Sequence, residues 1–265
     1  MKPIRGLAAP TPGLEEFVRA FPDERKWKAF RDHASSESYE ELLKTLIALQ
    51  HGLCCYCEID LKESDQQVEH FHPKSHRDND VNHTIDCTNL MAACCGGSCR
   101  KVWGSGNSKT DRRDSARHRN PTKENLSCGQ FKKDQDPTTP GADIIDPRDP
   151  RSLPTSPSIL RVTLDGRVEP DGTACQDAGW DPELVRGTIQ RLGLNCERLR
   201  VARADRLQNL GKMYNPEDHN VLMAAARVEL LPDEAGRLPA FFTTTRSFFR
   251  EAAELVLAEH PQSWI

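Results

Sequence analysis

Apolar residues recur at helical spacing toward both ends of the chain and lose that spacing in the middle. Leu42, Leu43, Leu46, Ile47 and Leu49 form a stripe that predicts a helix. Ser38-x-x-Glu41 reads as its capping box, in which each side chain satisfies an exposed amide, and Gly52 suits its end. A Pro-rich extended start and one helix-like stretch around Leu14 to Phe30 precede it. Residues 159–164 are β-rich, Asp165-Gly166 reads as a two-residue turn, and residues 167–169 return, which predicts a hairpin. From Asp181 onward the pattern is helical again. Asp181-Pro182 places a capping carboxylate before a proline at the first helical position, with Leu184, Val185, Ile189 and Leu192 behind it. Leu199, Leu207 and Leu210 mark the next helix. Asn215-Pro216 reads as the cap of another, with Leu222, Met223, Ala226 and Leu230 inside, and Phe241 to Leu257 supplies a last amphipathic helix. These stripes are read as core.

Residues 53–135 lack this periodicity, yet eight of the ten cysteines lie between Cys54 and Cys128. A module without an apolar core needs another source of stability, and metal bonds supply it. No stretch approaches the roughly 18 apolar residues of a membrane span, and the N-terminus lacks the apolar core of a signal peptide. The cytoplasm is the expected compartment, where clustered thiols hold metal rather than disulfides. Cys175 and Cys196 lie outside the cluster and are read as incidental.

Net charge is −4, which does not advertise a nucleic-acid binder. From Arg100 to Lys123, however, there are eight basic residues and few acidic ones. On charge alone this is a solvated surface loop, although such a loop could touch phosphates.

Structural zinc takes four thiolate or imidazole donors in a tetrahedron, usually from two knuckles. Cys54-x-x-Cys57 has the spacing that aims two sulfurs at one ion, with Cys55 and Tyr56 pointing elsewhere. The second pair is open: Cys94 or Cys95 supplies one sulfur, and Cys99 or Cys128 the other. Cys87 is read as a free thiol. Between the knuckles lies Glu69-His70-Phe71-His72-Pro73. Cutting a phosphodiester needs an activated water and neutralised phosphoryl charge. An imidazole can deprotonate the water while a carboxylate-bound cation handles the charge. Glu69 and His70 suit that division, and Asn89 can brace the loop by bonding to backbone.

Taken in order, these motifs resemble an HNH endonuclease of the ββα-metal type. Residues 50–58 (QHGLCCYCE), 68–74 (VEHFHPK), 89–94 (NLMAAC) and 128–132 (CGQFK) are similar to the HNH subunit of Septu-type anti-phage systems, the PtuB-like proteins. Ile145-Asp-Pro147, the Asp165-Gly166 hairpin and residues 192–199 (LGLNCERL) also match. The resemblance implies an α+β fold: a zinc-stapled ββα-metal HNH nuclease module, residues 53–150, embedded in a mostly α-helical frame. The frame is a helical region at 1–52 and a β-hairpin with C-terminal helices at 151–265. It implies His70 as general base, Glu69 as ligand of a catalytic Mg²⁺ or Mn²⁺, and Asn89 as the residue that positions the base. It favours Cys54, Cys57, Cys94 and Cys128 as the zinc set, with Lys132 in the motif's trailing basic position. It implies DNA as substrate, with RNA such as transfer RNA as the alternative, and an ABC- or SMC-like ATPase as partner, sometimes alongside a retron. A zinc-stapled adaptor with a degenerate site is the remaining reading. One departure stands out: many HNH proteins carry a metal-binding histidine or asparagine where this chain has Gly129. Asp86, His83, His72 or His118 could compensate. His72 is otherwise read as a contact to substrate or a residue that orients the metal site.

Overall fold

Leu42, Leu43 and Leu46 of helix α3 (Glu37–Leu49) are buried on one face, against strand β2 (Leu90–Ala93) and helix α1 (Pro12–Ala20). Each such side chain contributes roughly 1.5–3 kcal/mol on burial. The structure is a computed structural model and describes residues 1–76, 81–98, 123–137, 139, 143–215 and 218–265. The expected basic loop up to residue 122, with Cys99 and His118, lies outside the described residues.

The described residues form an α+β fold. Helices α1 (Pro12–Ala20), α2 (Trp27–Asp32) and α3 come first. Strand β1 (Gln67–His70) then pairs antiparallel with β2 (Leu90–Ala93), placing Glu69 opposite Met91 and His70 opposite Leu90. Helix α4 (Cys128–Lys132) follows. A hairpin of β3 (Leu160–Val162) and β4 (Val168–Pro170) leads into α5 (Gly172–Asp177), α6 (Pro182–Arg191) and α7 (Glu197–Met213). Helices α8 (His219–Leu230), α9 (Phe242–Phe249) and α10 (Glu251–Glu259) end the chain.

One buried cluster joins Leu14, Phe17, Phe30 and Leu46 to the β1–β2 hairpin and to Ile159, Val185, Leu192 and Leu199. A second holds Leu210, Ala226, Leu230, Phe242, Val256 and Trp264. No helix among the described residues is long and apolar enough to cross a membrane.

Several local expectations change. The capping box does not form. The chain enters α3 through Ala34, Ser35 and Ser36, all at positive φ. Ser38 Oγ instead bonds His33 Nδ1 at 2.9 Å, and Glu41 Oε2 accepts from the Gly13 amide. The stretch from Leu14 to Phe30 is two helices, because Pro22 has no amide to donate and cannot sit inside one. The hairpin loop has three residues, Leu164 to Gly166. The Gly166 amide closes onto Thr163 O, and Gly166 takes φ +79°. Asp218, not Asn215, caps α8 by accepting from the Val221 amide; Pro216 lies outside the described residues. The last amphipathic stretch breaks at Arg250, at φ 51° and ψ −120°. The break returns Ala252, Ala253, Val256 and Leu257 to the core beside α8.

Candidate metal centre and active-site cleft

The Cys54 knuckle is a tight turn closed by a Leu53–Asp60 bridge and a bond from the Cys54 amide to Ile59 O. Glu58 leaves it at positive φ, and its buried carboxylate accepts from the amide of Thr243 in α9. Gln50 locks the knuckle to β2: its side chain bonds both the amide and the carbonyl of Ala92, as a neighbouring strand would. The other two sulfurs come from the end of β2 and the start of α4. Cys54, Cys57, Cys94 and Cys128 are all buried, with ligand atoms within 4.8 Å of one another.

Three sulfur pairs are separated by 3.7–3.8 Å. A tetrahedral zinc with bonds of about 2.3 Å sets its sulfurs about 3.8 Å apart, whereas a disulfide needs about 2.05 Å. The quartet therefore fits a metal ion such as zinc, with all four positions filled by thiols. Burial alone would push the Cys54 thiol up. Hydrogen bonds with Cys128, Cys55, Cys57 and Cys94 outweigh it and hold Cys54 well below the ordinary thiol range. Burial and the neighbouring thiols push Cys128 well up. The cluster thus keeps protons that an incoming metal would displace. The amides of Cys94 and Gly96 point at sulfur. Cys95 instead gives its amide to Asp65, and Cys87 stands outside the quartet.

Glu69 and His70 lie next to this centre, both buried. Glu69 Oε1 pairs with Lys132 Nζ at 3.2 Å. Lys132 is itself buried and gives its other bonds to the carbonyls of His70 and Phe71, each at 2.9 Å. Burial raises the Glu69 pKa against the pull of Lys132. His70 Nε2 lies 3.0 Å from Thr84 O. A carbonyl only accepts, so Nε2 carries the proton and Nδ1 keeps the lone pair. The Trp27 ring stands edge-on to the imidazole at 4.5 Å between centroids. Burial first, then Lys74, pushes the His70 pKa down to about 3, with the Thr84 bond opposing. The ring is therefore neutral near pH 7.

Asn89 is buried and spends its whole side chain on backbone. Oδ1 accepts from the His72 amide at 2.7 Å, and Nδ2 donates to His72 O and His83 O. An open cleft of about 240 Å³ is lined by Glu69, His70, Lys74, Gly129, Gln130 and Lys133. A β-carbon on Gly129 would overlap the Glu69 carboxylate. Asp86 caps the turn before Asn89 by accepting from the Thr88 amide.

Two relatives match most of the chain. The candidate HNH endonuclease of retron Ec83 from Escherichia coli is 29% identical over 243 residues, 83% of this chain and 83% of that protein. The chain is similar to that candidate retron HNH endonuclease over most of its length. The candidate HNH endonuclease of retron Vc95 from Vibrio cholerae serotype O1 biovar El Tor agrees, at 25% identity over 224 residues, 83% of this chain and 89% of that protein. No protein-family model matches the chain. Both similarities are to candidate endonucleases, and each spans most of both proteins.

Sequence reasoning missed the residues that serve the site from a distance. Arg198 and Arg203 of α7 are buried. Arg198 donates to Asn125 O at 2.8 Å and to Ser127 Oγ, which lies 3.3 Å from Cys128 Sγ. Burial opposes the Arg198 charge, but nearby thiols more than offset it and raise its pKa. Two arginines beside the apolar positions Leu199 and Ala202 were the available signal. Trp27 and Thr84 carried none, because their contact with His70 exists only once α2 and the β1–β2 loop are packed.

Proposed function

We propose that the chain is a metal-dependent HNH endonuclease that hydrolyses nucleic-acid phosphodiester bonds, with DNA as the preferred polymer. The observation that carries this reading is His70: a neutral imidazole with its tautomer set by Thr84, lining a cleft beside a buried carboxylate and flanked by lysines. The two strands and the following helix around the four thiols agree with a zinc-stapled ββα-metal module.

In this reading His70 Nδ1 takes the proton of the attacking water. Asn89 holds the β1–β2 loop so that Thr84 keeps the imidazole in place. Lys74 and Lys133 supply positive charge for the phosphate. Glu69, with Asp134 also on the cleft wall, would hold a divalent cation, Mg²⁺ or Mn²⁺. Such an ion would supply charge neutralisation at the phosphoryl group. Cys54, Cys57, Cys94 and Cys128 would hold structural zinc, with no position left for water. The names of the two relatives support a retron setting, and the motif resemblance supports an ABC- or SMC-like ATPase partner in phage defence. Co-purification from cells that express both proteins tests that partnership.

The activity test uses the purified full-length chain with plasmid DNA and, separately, transfer RNA, in Mg²⁺ or Mn²⁺. DNA cleavage that falls by about 10²–10⁴-fold in His70→Ala is the expected result. RNA cleavage with intact DNA would replace the polymer. Equal cutting by the variant would remove His70 as base. Defence that survives both Glu69→Ala and His70→Ala would make the protein an adaptor.

A further inference from the structure

Three imidazoles and a carboxylate gather outside the thiol quartet. His72 and His83 come from the β1–β2 loop, as does His76, and Asp136 from the segment after α4. Ring centroids are 5.8 Å apart for His72 and His76, 5.0 Å for His72 and His83, and 5.1 Å for His76 and His83. Asp136 touches two of the rings: Oδ1 lies 3.4 Å from His72 Nδ1, and Oδ2 pairs with His76 Nδ1. His83 is buried, and the other three side chains are largely covered. Asn89 fixes the backbone at both His72 and His83.

The spacing of the rings is informative. A ring nitrogen bonded to zinc at about 2.0–2.1 Å puts the ring centroid about 3.2 Å from the ion. Two such rings in a tetrahedron stand about 5.2 Å apart. The three observed separations bracket that value. We propose that His72, His76, His83 and Asp136 form an additional metal site, apart from the thiol quartet, for a borderline divalent ion, zinc in the first instance. Three imidazoles and one carboxylate suit zinc and its transition-metal neighbours, whereas Mg²⁺ and Ca²⁺ take oxygen donors. Ligation turns the rings so that one nitrogen of each faces the ion. Asp136 then moves from bridging two imidazoles to ligating through one oxygen. The site ties the β1–β2 loop, which carries Thr84 and Asn89, to the chain beyond α4. It stands whether or not the cleft cuts nucleic acid.

Metal content and cobalt spectra test it on the full-length protein. The wild type should retain two zinc equivalents after desalting. His76→Ala combined with Asp136→Asn should retain one. The cobalt form of this variant should keep the thiolate-to-cobalt charge-transfer band of the cysteine site and lose the visible bands of a nitrogen- and oxygen-ligated ion. Cys57→Ser, where it folds, should show the reverse. A single equivalent in the wild type overturns the proposal, as do two equivalents in the His76/Asp136 variant. Neither result bears on cleavage, so the nuclease reading is judged separately.

Discussion

The Glu69 carboxylate occupies the space that a side chain on Gly129 would need. At Gly129 the chain leaves a gap, and the acid on β1 fills it while pairing with Lys132. Gly129→Ala should therefore push Glu69 off Lys132 and leave a buried charge poorly paired. The expected cost is about 1–3 kcal/mol in urea denaturation, together with reduced cleavage. Wild-type values of both would show that Glu69 turns aside freely.

The thiol quartet separates neighbouring cysteines by role. Cys57→Ser should lose the structural zinc and lower the melting temperature by about 10 °C or more, at roughly 2–4 °C per kcal/mol for a chain of this size. Cys55→Ser, although buried, should keep the metal because Cys55 is outside the quartet. Metal analysis and thermal melts compare the two directly. Equal zinc loss in both variants would mean that Cys55 serves as a ligand.

Lys74 and Lys133 line the same cleft and are exposed. Each would meet one phosphate. Replacing either by alanine should weaken nucleic-acid binding at every sequence and reduce the slope of log affinity against log salt by about 1. Fluorescence anisotropy across a salt series reads this. An unchanged slope would remove the lysine from the contact surface.

Lys2 makes stability depend on pH. Its amine is buried against the carbonyls of Pro3 and Trp264, and burial pushes its pKa down to about 7 from 10.5. Between those two values the unfolded chain binds more protons than the folded one, so stability rises with pH across that window. The slope contributed is up to about 1.4 kcal/mol per pH unit. Denaturation of wild type and Lys2→Met at pH 7, 8.5 and 10 isolates it, because the other titrating groups are common to both. A difference that stays flat with pH would place the ammonium in a wetter setting.

Much of this protein is written in local pattern. The stripe of Leu42, Leu43 and Leu46, the Asp181-Pro182 cap and the Cys54-x-x-Cys57 knuckle each depend on residues a few positions apart. Backbone geometry alone puts such residues together. Periodicity also marked the helices from Asp181 onward, though not the short α5 before them. It could not place their breaks: Arg250 turns the chain because the core beside α8 needs Val256 and Leu257, and that need is not local.

Packing settled which cysteines meet. Cys94 and Cys128 join the knuckle because β2 and α4 converge on it, and Cys95 turns its amide to Asp65 instead. Spacing left both choices open, since a metal site built from three separate segments is selected by the distances between those segments. The same holds for Thr84 on His70, for Arg198 near the thiols, and for Glu69 in the gap at Gly129. Sequence determined which chemical groups were available and how each short segment folds. Only the tertiary structure decided which of them touch, because burial and charge pairing act between segments that the chain order keeps far apart.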